Sequence, residues 1–308
     1  MNPEVTIIIP TFNRAYVLPE TLQSVLNQTF TNWECLLIDD QSTDNTFETI
    51  ASYLNDTRFK WISKTNEHKK GAAASRNIGI QNAKGTYINF LDSDDLLSPN
   101  KLATQLNALK NASSKVIATC TWGRFSKSVE DAVLFQNLPE YQSFMHPASF
   151  LQALAIGKGF FPIHALLFPK ELIKESGFWN ESYSLYDDTD FTLRLFLSAE
   201  QFVYLDECIA YYRWQSNDNI SLFDDKSKVI NGIKVLKEVH KIYKEKLPNE
   251  KTTFLDFLRK GLFKNLLIFY PNLIIVNFYF FKSEIVAQNI LNLKRFIVKI
   301  LRILKIKK

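Results

Sequence analysis

The chain has 308 residues, of which 46% are hydrophobic and 22% charged, which excludes a disordered chain and allows one substantial domain with an appendage. Cys35, Cys120 and Cys208 are widely spaced without a C-x-x-C pair, so neither a disulfide framework nor a zinc site is expected, and a reducing, cytosolic setting fits. The formal net charge of +5 is modest, but the stretch from Ile285 to Lys308 holds seven Lys or Arg and no acid.

Val5 to Ile9 is a β-branched run of the kind found in a parallel strand covered on both faces. Nothing before it has the basic and then long apolar pattern of a secretion signal, so none is expected. Pro10 stops the run, and Pro19 to Asn27 reads as a helix with Leu22, Val25 and Leu26 at helical spacing. A second strand, Cys35 to Ile38, ends in Asp39 and Asp40. Ser42 or Asp44 can cap a helix through Phe47, Ile50, Ala51 and Leu54, and Phe59 to Ile62 follows as a strand. Gly71 opens a small-residue helix that closes near Gly85.

Strand and helix alternate across the first hundred residues, which predicts a doubly wound α/β domain with ligands beyond the carboxyl ends of the strands. The next strand, in TYINFLDSDD, runs into Asp92, Asp94 and Asp95, which cannot be buried unpaired without a heavy desolvation cost. Aspartates at i and i+2 can converge on Mg²⁺ or Mn²⁺, hard cations that prefer oxygen ligands and complete their shell with water and phosphate. Taken alone, the same residues also read as a solvated loop capping the helix after Pro99. A helix to Leu109 and a strand Val116 to Thr119 come next, then a loop-rich stretch over 123–165 with a helix at Pro147 to Ala155, and a short helix Lys170 to Ser176. Asp187, Asp188 and Asp190 open a further helix, where carboxylates also suit the helix dipole.

VTIIIPTFNR, LLIDDQSTDNT, GAAASRNIG, INFLDSDD and GFWNESYSLYDDTDFTLR resemble, in order and approximate spacing, the successive motifs of the inverting, nucleotide-sugar-dependent glycosyltransferases of family 2, which have the GT-A fold. The resemblance covers about residues 4–215. It implies that Pro10, Thr11 and Phe12 pack on the base, with Asp40 on its pyrimidine edge and Asp39 beside it. It also implies that Arg76 reaches base or diphosphate and that Asp92 and Asp94 form the metal-binding D-x-D, with Asp94 the direct ligand and Ser93 among the donor contacts. Asp188 then stands where the family places its catalytic base, with Asp187 its immediate rival.

The chemistry requires these types. Expelling a nucleoside diphosphate builds negative charge that a divalent ion stabilises, and the attacking hydroxyl needs an ionised carboxylate within about 3 Å. YYRWQSNDNIS departs from the family's Y-R-x-H: Arg213 is present, but Gln215 replaces the His, which leaves water or Gln215 as the third metal contact. The Q-x-x-R-W of processive synthases is also missing its Gln, which favours transfer of single sugars. His164 lies where such enzymes meet the acceptor, although a lone His among apolar neighbours also fits a structural role.

Residues 1–222 are thus expected to form the catalytic domain and 223–308 a basic, apolar helical region. Leu266 to Phe281 is sixteen uncharged residues, short of the ~20 that span a bilayer, and reads as an interfacial or buried helical hairpin. Asn289 to Lys308 reads as a basic amphipathic helix suited to an anionic membrane surface, or packed on the catalytic domain with its basic face solvated. Nucleic acid is not expected, because aromatic residues are not interleaved with the charges.

The expected protein is a metal-dependent transferase of one sugar from a nucleotide donor, with UDP expected, to a glycan or lipid-linked acceptor in surface-polysaccharide synthesis. It would sit peripherally on the cytoplasmic face of the membrane. The rivals are a sugar nucleotidyltransferase, which the glycine-free loop after the first strand disfavours, and a silent nucleotide-binding scaffold, which the presence of Asp188 disfavours.

Overall fold

The structure is a computed structural model that describes residues 2–157, 159–214, 223 and 225–289. It opens with β1 (Val5–Thr11), α1 (Leu18–Leu26), β2 (Trp33–Asp39), α2 (Thr46–Ile50), β3 (Phe59–Ser63), α3 (Ala72–Asn82) and β4 (Tyr87–Phe90). β5 (Leu96–Leu97), α4 (Lys101–Leu109), β6 (Val116–Phe125), β7 (Val133–Leu134), α5 (Pro147–Ile156), β8 (Phe168–Pro169) and α6 (Lys170–Ser176) follow. The chain continues through α7 (Asp187–Ser198), β9 (Gln201–Arg213), α8 (Lys226–Lys246), α9 (Thr253–Phe269), α10 (Pro271–Val276) and a helix over 278–289.

The first sheet has the order β3-β2-β1-β4-β8, parallel except for β8. Its strand order reverses between β1 and β4, so the loops after these two strands flank a crevice at the carboxyl edge, where open α/β sheets bind ligands. The second sheet, β5-β9-β6-β7, joins the first through the Ala118 and Leu167 bridge. The alternation within β1 sends Val5, Ile7 and Ile9 to a core beneath α1 and α4, and Ile8 to the opposite core.

That second core also takes in Phe191 and Phe196 of α7, Val229, Leu236 and Val239 of α8, and Leu255 and Leu262 of α9. The helices after residue 225 therefore share one hydrophobic core with the sheet. Leu266 to Phe281 covers the end of α9, α10 and the start of the helix over 278–289, with Leu266, Leu273, Ile274 and Phe281 buried and, among the described residues, Ile268, Ile275, Val276 and Tyr279 exposed. The proposed tail helix, Asn289 to Lys308, lies outside the described residues beyond its first position.

Candidate active site

The loop after β1 carries Pro10, Thr11 and Phe12 to the sheet's carboxyl edge. Thr11 is buried, whereas Phe12 is 51% exposed. Asp40 N donates to Thr11 O at 2.8 Å, and Asn13 Oδ1 accepts from Thr43 N at 2.8 Å, so the first two strand exits are tied together. Asn13 (φ 52°) and Gln41 (φ 64°) hold left-handed backbone in these loops, and Tyr186 (φ 62°) does so just before Asp187. Such conformations need support from their surroundings and concentrate at functional sites.

Asp39 turns back on its own loop, accepting from Ser42 N at 3.1 Å. Asp40 places one oxygen 2.6 Å from Lys64 Nζ and accepts from Gly71 N at 2.6 Å on the other. The parallel pairing of Asp39 with Ser63 puts Lys64 beside Asp40, and Gly71, at φ 105°, supplies a turn into α3 that few other residues would adopt. Asp40 is thus anchored at both oxygens, by Lys64, which sequence reading did not single out, and by Gly71, which it read only as the start of a helix.

At the exit of β4, Arg76 Nη2 contacts Asp92 Oδ1 at 2.6 Å while its guanidinium lies 4.4 Å from the centre of the Trp179 ring. Trp179 is fixed on its other side by stacking on Phe191 at 4.2 Å, and its backbone is gripped by Asn77, which donates to Trp179 O at 3.0 Å and accepts from Trp179 N at 2.9 Å. Ser93 is buried and its carbonyl accepts from Thr21 Oγ1 at 3.0 Å. Burial, together with the charges of Asp95 and Asp92, pushes the Asp94 carboxyl up to about 7.

Asp95 sits one layer behind. Its Oδ1 accepts from Arg213 N at 2.7 Å and its Oδ2 lies 3.0 Å from His164 Nδ1, both side chains being 1% exposed. Arg213 also donates through Nε to Asp94 O at 2.8 Å and pairs through Nη2 with Glu20 at 2.5 Å. His164, for which the sequence left both an acceptor contact and a structural role open, and Arg213, a possible acceptor or phosphate contact, are buried supports of the aspartate loop. His164 is fully enclosed against Asp95 instead of facing the crevice. Gln215 lies outside the described residues.

The donor set fits a hard divalent cation in one specific way. Among the described residues, no group of three or more His, Cys, Asp or Glu is arranged to hold a metal. Asp94 is nevertheless a desolvated carboxylate in a cluster of like charge. One or two carboxylates suffice for Mg²⁺ when substrate phosphates and water supply its other ligands.

Asp187 and Asp188 open α7 across the crevice. Asp188 is solvent-accessible, yet protein crowds it closely enough that burial raises its carboxyl to about 6, the Asp187 charge adding to the rise. Asp187 is raised as well, chiefly by burial; the Arg76 charge opposes that rise and the Asp92 charge adds to it. Arg76 is thus within electrostatic reach of Asp92, Asp187 and Asp188. Asp190 is structural: it pairs with Arg194 at 2.9 Å, which also clamps the carbonyls of Ser176, Gly177 and Phe178.

Sequence reasoning missed Lys64, Trp179, Asp95 and Glu20 as parts of this arrangement. Asp95 stood in plain view within the D-x-D-D run, and Lys64 followed a predicted strand. Their partners are far away in the chain, so only the tertiary structure shows them.

A family model described as Glycosyl transferase family 2 matches residues 6–176, more than half of the chain. A UDP-Glc:alpha-D-GlcNAc-diphosphoundecaprenol beta-1,3-glucosyltransferase of Escherichia coli is 44% identical over 108 residues, covering 35% of this chain and 42% of that enzyme. The match thus spans less than half of that relative's length. A GalNAc(5)-diNAcBac-PP-undecaprenol beta-1,3-glucosyltransferase of Campylobacter jejuni is 29% identical over 224 residues, 71% of this chain and 68% of that one. The S. aureus TarS 1-349 structure in complex with UDP-GlcNAc superposes with a TM-score of 0.67 at 18% identity, covering 88% of this chain and 75% of that one, and so shares the fold. Since the family match runs from β1 through the end of α6, and thus across the parallel sheet and both aspartate-bearing exits, the chain belongs to glycosyl transferase family 2.

Proposed function

We propose that the protein is a metal-dependent inverting glycosyltransferase that moves one sugar from a UDP-linked donor to a lipid-linked glycan acceptor. The observation that carries this reading is the meeting at Arg76 of the β4 exit, with Asp92, and the start of α7, with Asp187 and Asp188. Groups suited to the leaving diphosphate and a group suited to the incoming hydroxyl then flank one crevice. The choice of UDP draws on the UDP-Glc named for the E. coli relative and the UDP-GlcNAc bound to S. aureus TarS. The lipid-linked acceptor draws on the undecaprenol carriers named for the E. coli and C. jejuni relatives.

In this mechanism Phe12, with Pro10 and Thr11, packs on the base, and Asp40, with Asp39 beside it, holds its edge. Arg76 binds the diphosphate, exchanging part of its contact with Asp92 for phosphate oxygens. Asp94 and Asp92, flanking Ser93, would hold Mn²⁺ or Mg²⁺, which supplies Lewis-acid stabilisation of charge on the leaving oxygen. Asp188 accepts the proton of the acceptor hydroxyl as its oxygen bonds to the anomeric carbon from the face opposite the breaking bond to phosphate. Asp187 keeps that region anionic, which helps raise Asp188 toward neutrality. His164 and Arg213 act through Asp95 and Asp94 by fixing the loop.

The acceptor implies a place at the cytoplasmic face of the membrane, to which the basic tail from Asn289 to Lys308 would contribute, each basic residue adding about 1 kcal/mol at an anionic surface. The test is turnover of a panel of nucleotide sugars with undecaprenyl-diphosphate-linked acceptors, with and without chelator. Transfer from a UDP-sugar that stops in chelator and returns with Mn²⁺ is expected. Full activity in chelator would remove the metal role, and preference for another nucleotide would remove UDP.

A further inference from the structure

The hairpin formed by α9, α10 and the helix over 278–289 carries apolar residues on both faces at its turn, and among the described residues only one of those faces is packed. Leu266, Leu273, Ile274 and Phe281 are buried in the shared core. The outer face presents Ile268 and Ile275 at 73% exposure, Val276 at 79% and Tyr279 at 91%, with Phe269 and Phe278 also exposed. A contiguous exposed apolar surface on this scale marks an interaction site.

Charge identifies the partner. Between Phe257 and Ser283 there is no acidic residue, and Lys260, Lys264 and Lys282 stand exposed on the flanks of the apolar ridge. The basic residues between Ile285 and Lys308 follow directly in the chain. Arg259 is the exception, being paired with Asp256 at 2.7 Å and Glu284 at 2.9 Å. An apolar ridge with lysine flanks and an amphipathic tyrosine at its rim has the makeup of an element that lies in the interface of an anionic bilayer. No helix among the described residues is long and apolar enough to cross one.

We propose that this ridge, from Leu267 to Tyr279, inserts into the headgroup and acyl boundary of an anionic membrane and seats the protein there. The proposal deepens the membrane part of the proposed function, yet it assigns the contact to a folded surface distinct from the basic tail. The lysines would meet lipid phosphates while Ile268, Ile275, Val276 and Phe278 replace water with acyl chains.

The test is flotation of the full chain with vesicles of equimolar phosphatidylglycerol and phosphatidylcholine, beside pure phosphatidylcholine vesicles. The quadruple variant Ile268→Gln, Ile275→Gln, Val276→Ser and Tyr279→Ser is expected to bind the anionic vesicles at least tenfold more weakly, with an unchanged circular dichroism spectrum. A second measurement does not depend on that variant folding: Val276→Cys, labelled with an environment-sensitive dye, should shift to the blue only when anionic vesicles are added. The native cysteines are all buried and should stay unlabelled. Wild-type binding that the quadruple variant keeps and that deletion of residues 290–308 abolishes would overturn the ridge while leaving the tail reading intact. A dye already shifted without vesicles would mean that the tail or a second copy covers the ridge, and would also overturn it. Absence of wild-type binding to either vesicle would overturn both.

Discussion

Arg76 and Asp92 meet at 2.6 Å between Nη2 and Oδ1, joining the second turn of α3 to the exit of β4, and the same guanidinium lies over the Trp179 ring, 4.4 Å from its centre. An arginine satisfies both partners at once, because its planar fork can pair with a carboxylate while its face stacks on indole; a lysine ammonium cannot do both. Arg76→Ala is therefore expected to lower kcat/KM by about 10- to 100-fold, the equivalent of one lost charged hydrogen bond of roughly 1.5–3 kcal/mol. Arg76→Lys should recover only part of it. Steady-state kinetics at fixed cation concentration checks both; a fully active lysine variant would mean that the stacking against Trp179 contributes nothing.

The pH profile follows from Asp188. A base acts in its ionised form, and burial together with Asp187 raises the Asp188 carboxyl to about 6. Transfer at saturating cation should be level above that pH and fall about tenfold per unit below it. Because Asp187 and Asp188 interact, the midpoint belongs to the pair, and Asp187→Asn should move it to lower pH. Rates measured from acid to neutral pH in the two proteins check this.

The aspartate loop should also affect stability, with the opposite sign from an ordinary ion-paired carboxylate. Asp94 is raised from 3.8 to about 7, so the folded state holds its proton more tightly than the unfolded chain does. That contribution is complete at low pH and is lost as pH rises from about 4 to about 7, where folding comes to bear a desolvated charge beside Asp95 and Asp92 that Arg14 offsets only in part. Asp94→Asn should consequently be more stable than the wild type at pH 8, by about 1 kcal/mol, while losing transfer. Mn²⁺ should raise the wild-type melting temperature at pH 8 more than at pH 5, and should do so less in the variant. Thermal denaturation with and without cation decides it.

Much of the fold was legible because the first hundred residues alternate clean strand and helix patterns, and because glycines and prolines mark their ends. Lys170–Ser176 and the start of α5 at Pro147 were read at their observed positions. The second sheet was far less legible. β6 was read only as far as Thr119, with 123–165 taken as loop-rich; in the structure the strand runs to Phe125 and Gly123 lies within it, where a Cβ would stand 2.6 Å from Leu134 of β7. β9 mixes polar and apolar residues, with Asp206 and Glu207 in mid-strand, and its register against β6 shifts after Cys120.

At the site, sequence motifs located the carboxylates but not what holds them. Asp40 depends on Lys64, Arg76 on Trp179, and the Asp94 loop on Asp95, His164 and Arg213. Apart from Asp95, which adjoins Asp94, these supports lie far in sequence from what they hold. His164 illustrates the difference, since nothing local to PIHAL distinguishes a residue facing an acceptor from one buried against Asp95.

The central claim is that the β4 exit serves the donor while Asp188 serves the acceptor. The most direct test compares Asp188→Asn and Asp94→Asn in two assays, calorimetric binding of a UDP-sugar with Mn²⁺ and transfer to a lipid-linked acceptor. Asp188→Asn should bind donor with an affinity within about twofold of the wild type and transfer it about 10²- to 10⁴-fold more slowly, the range that a general base contributes. Asp94→Asn should lose donor binding as well as transfer. Normal turnover by Asp188→Asn, or loss of donor binding on that substitution alone, would contradict the division of roles.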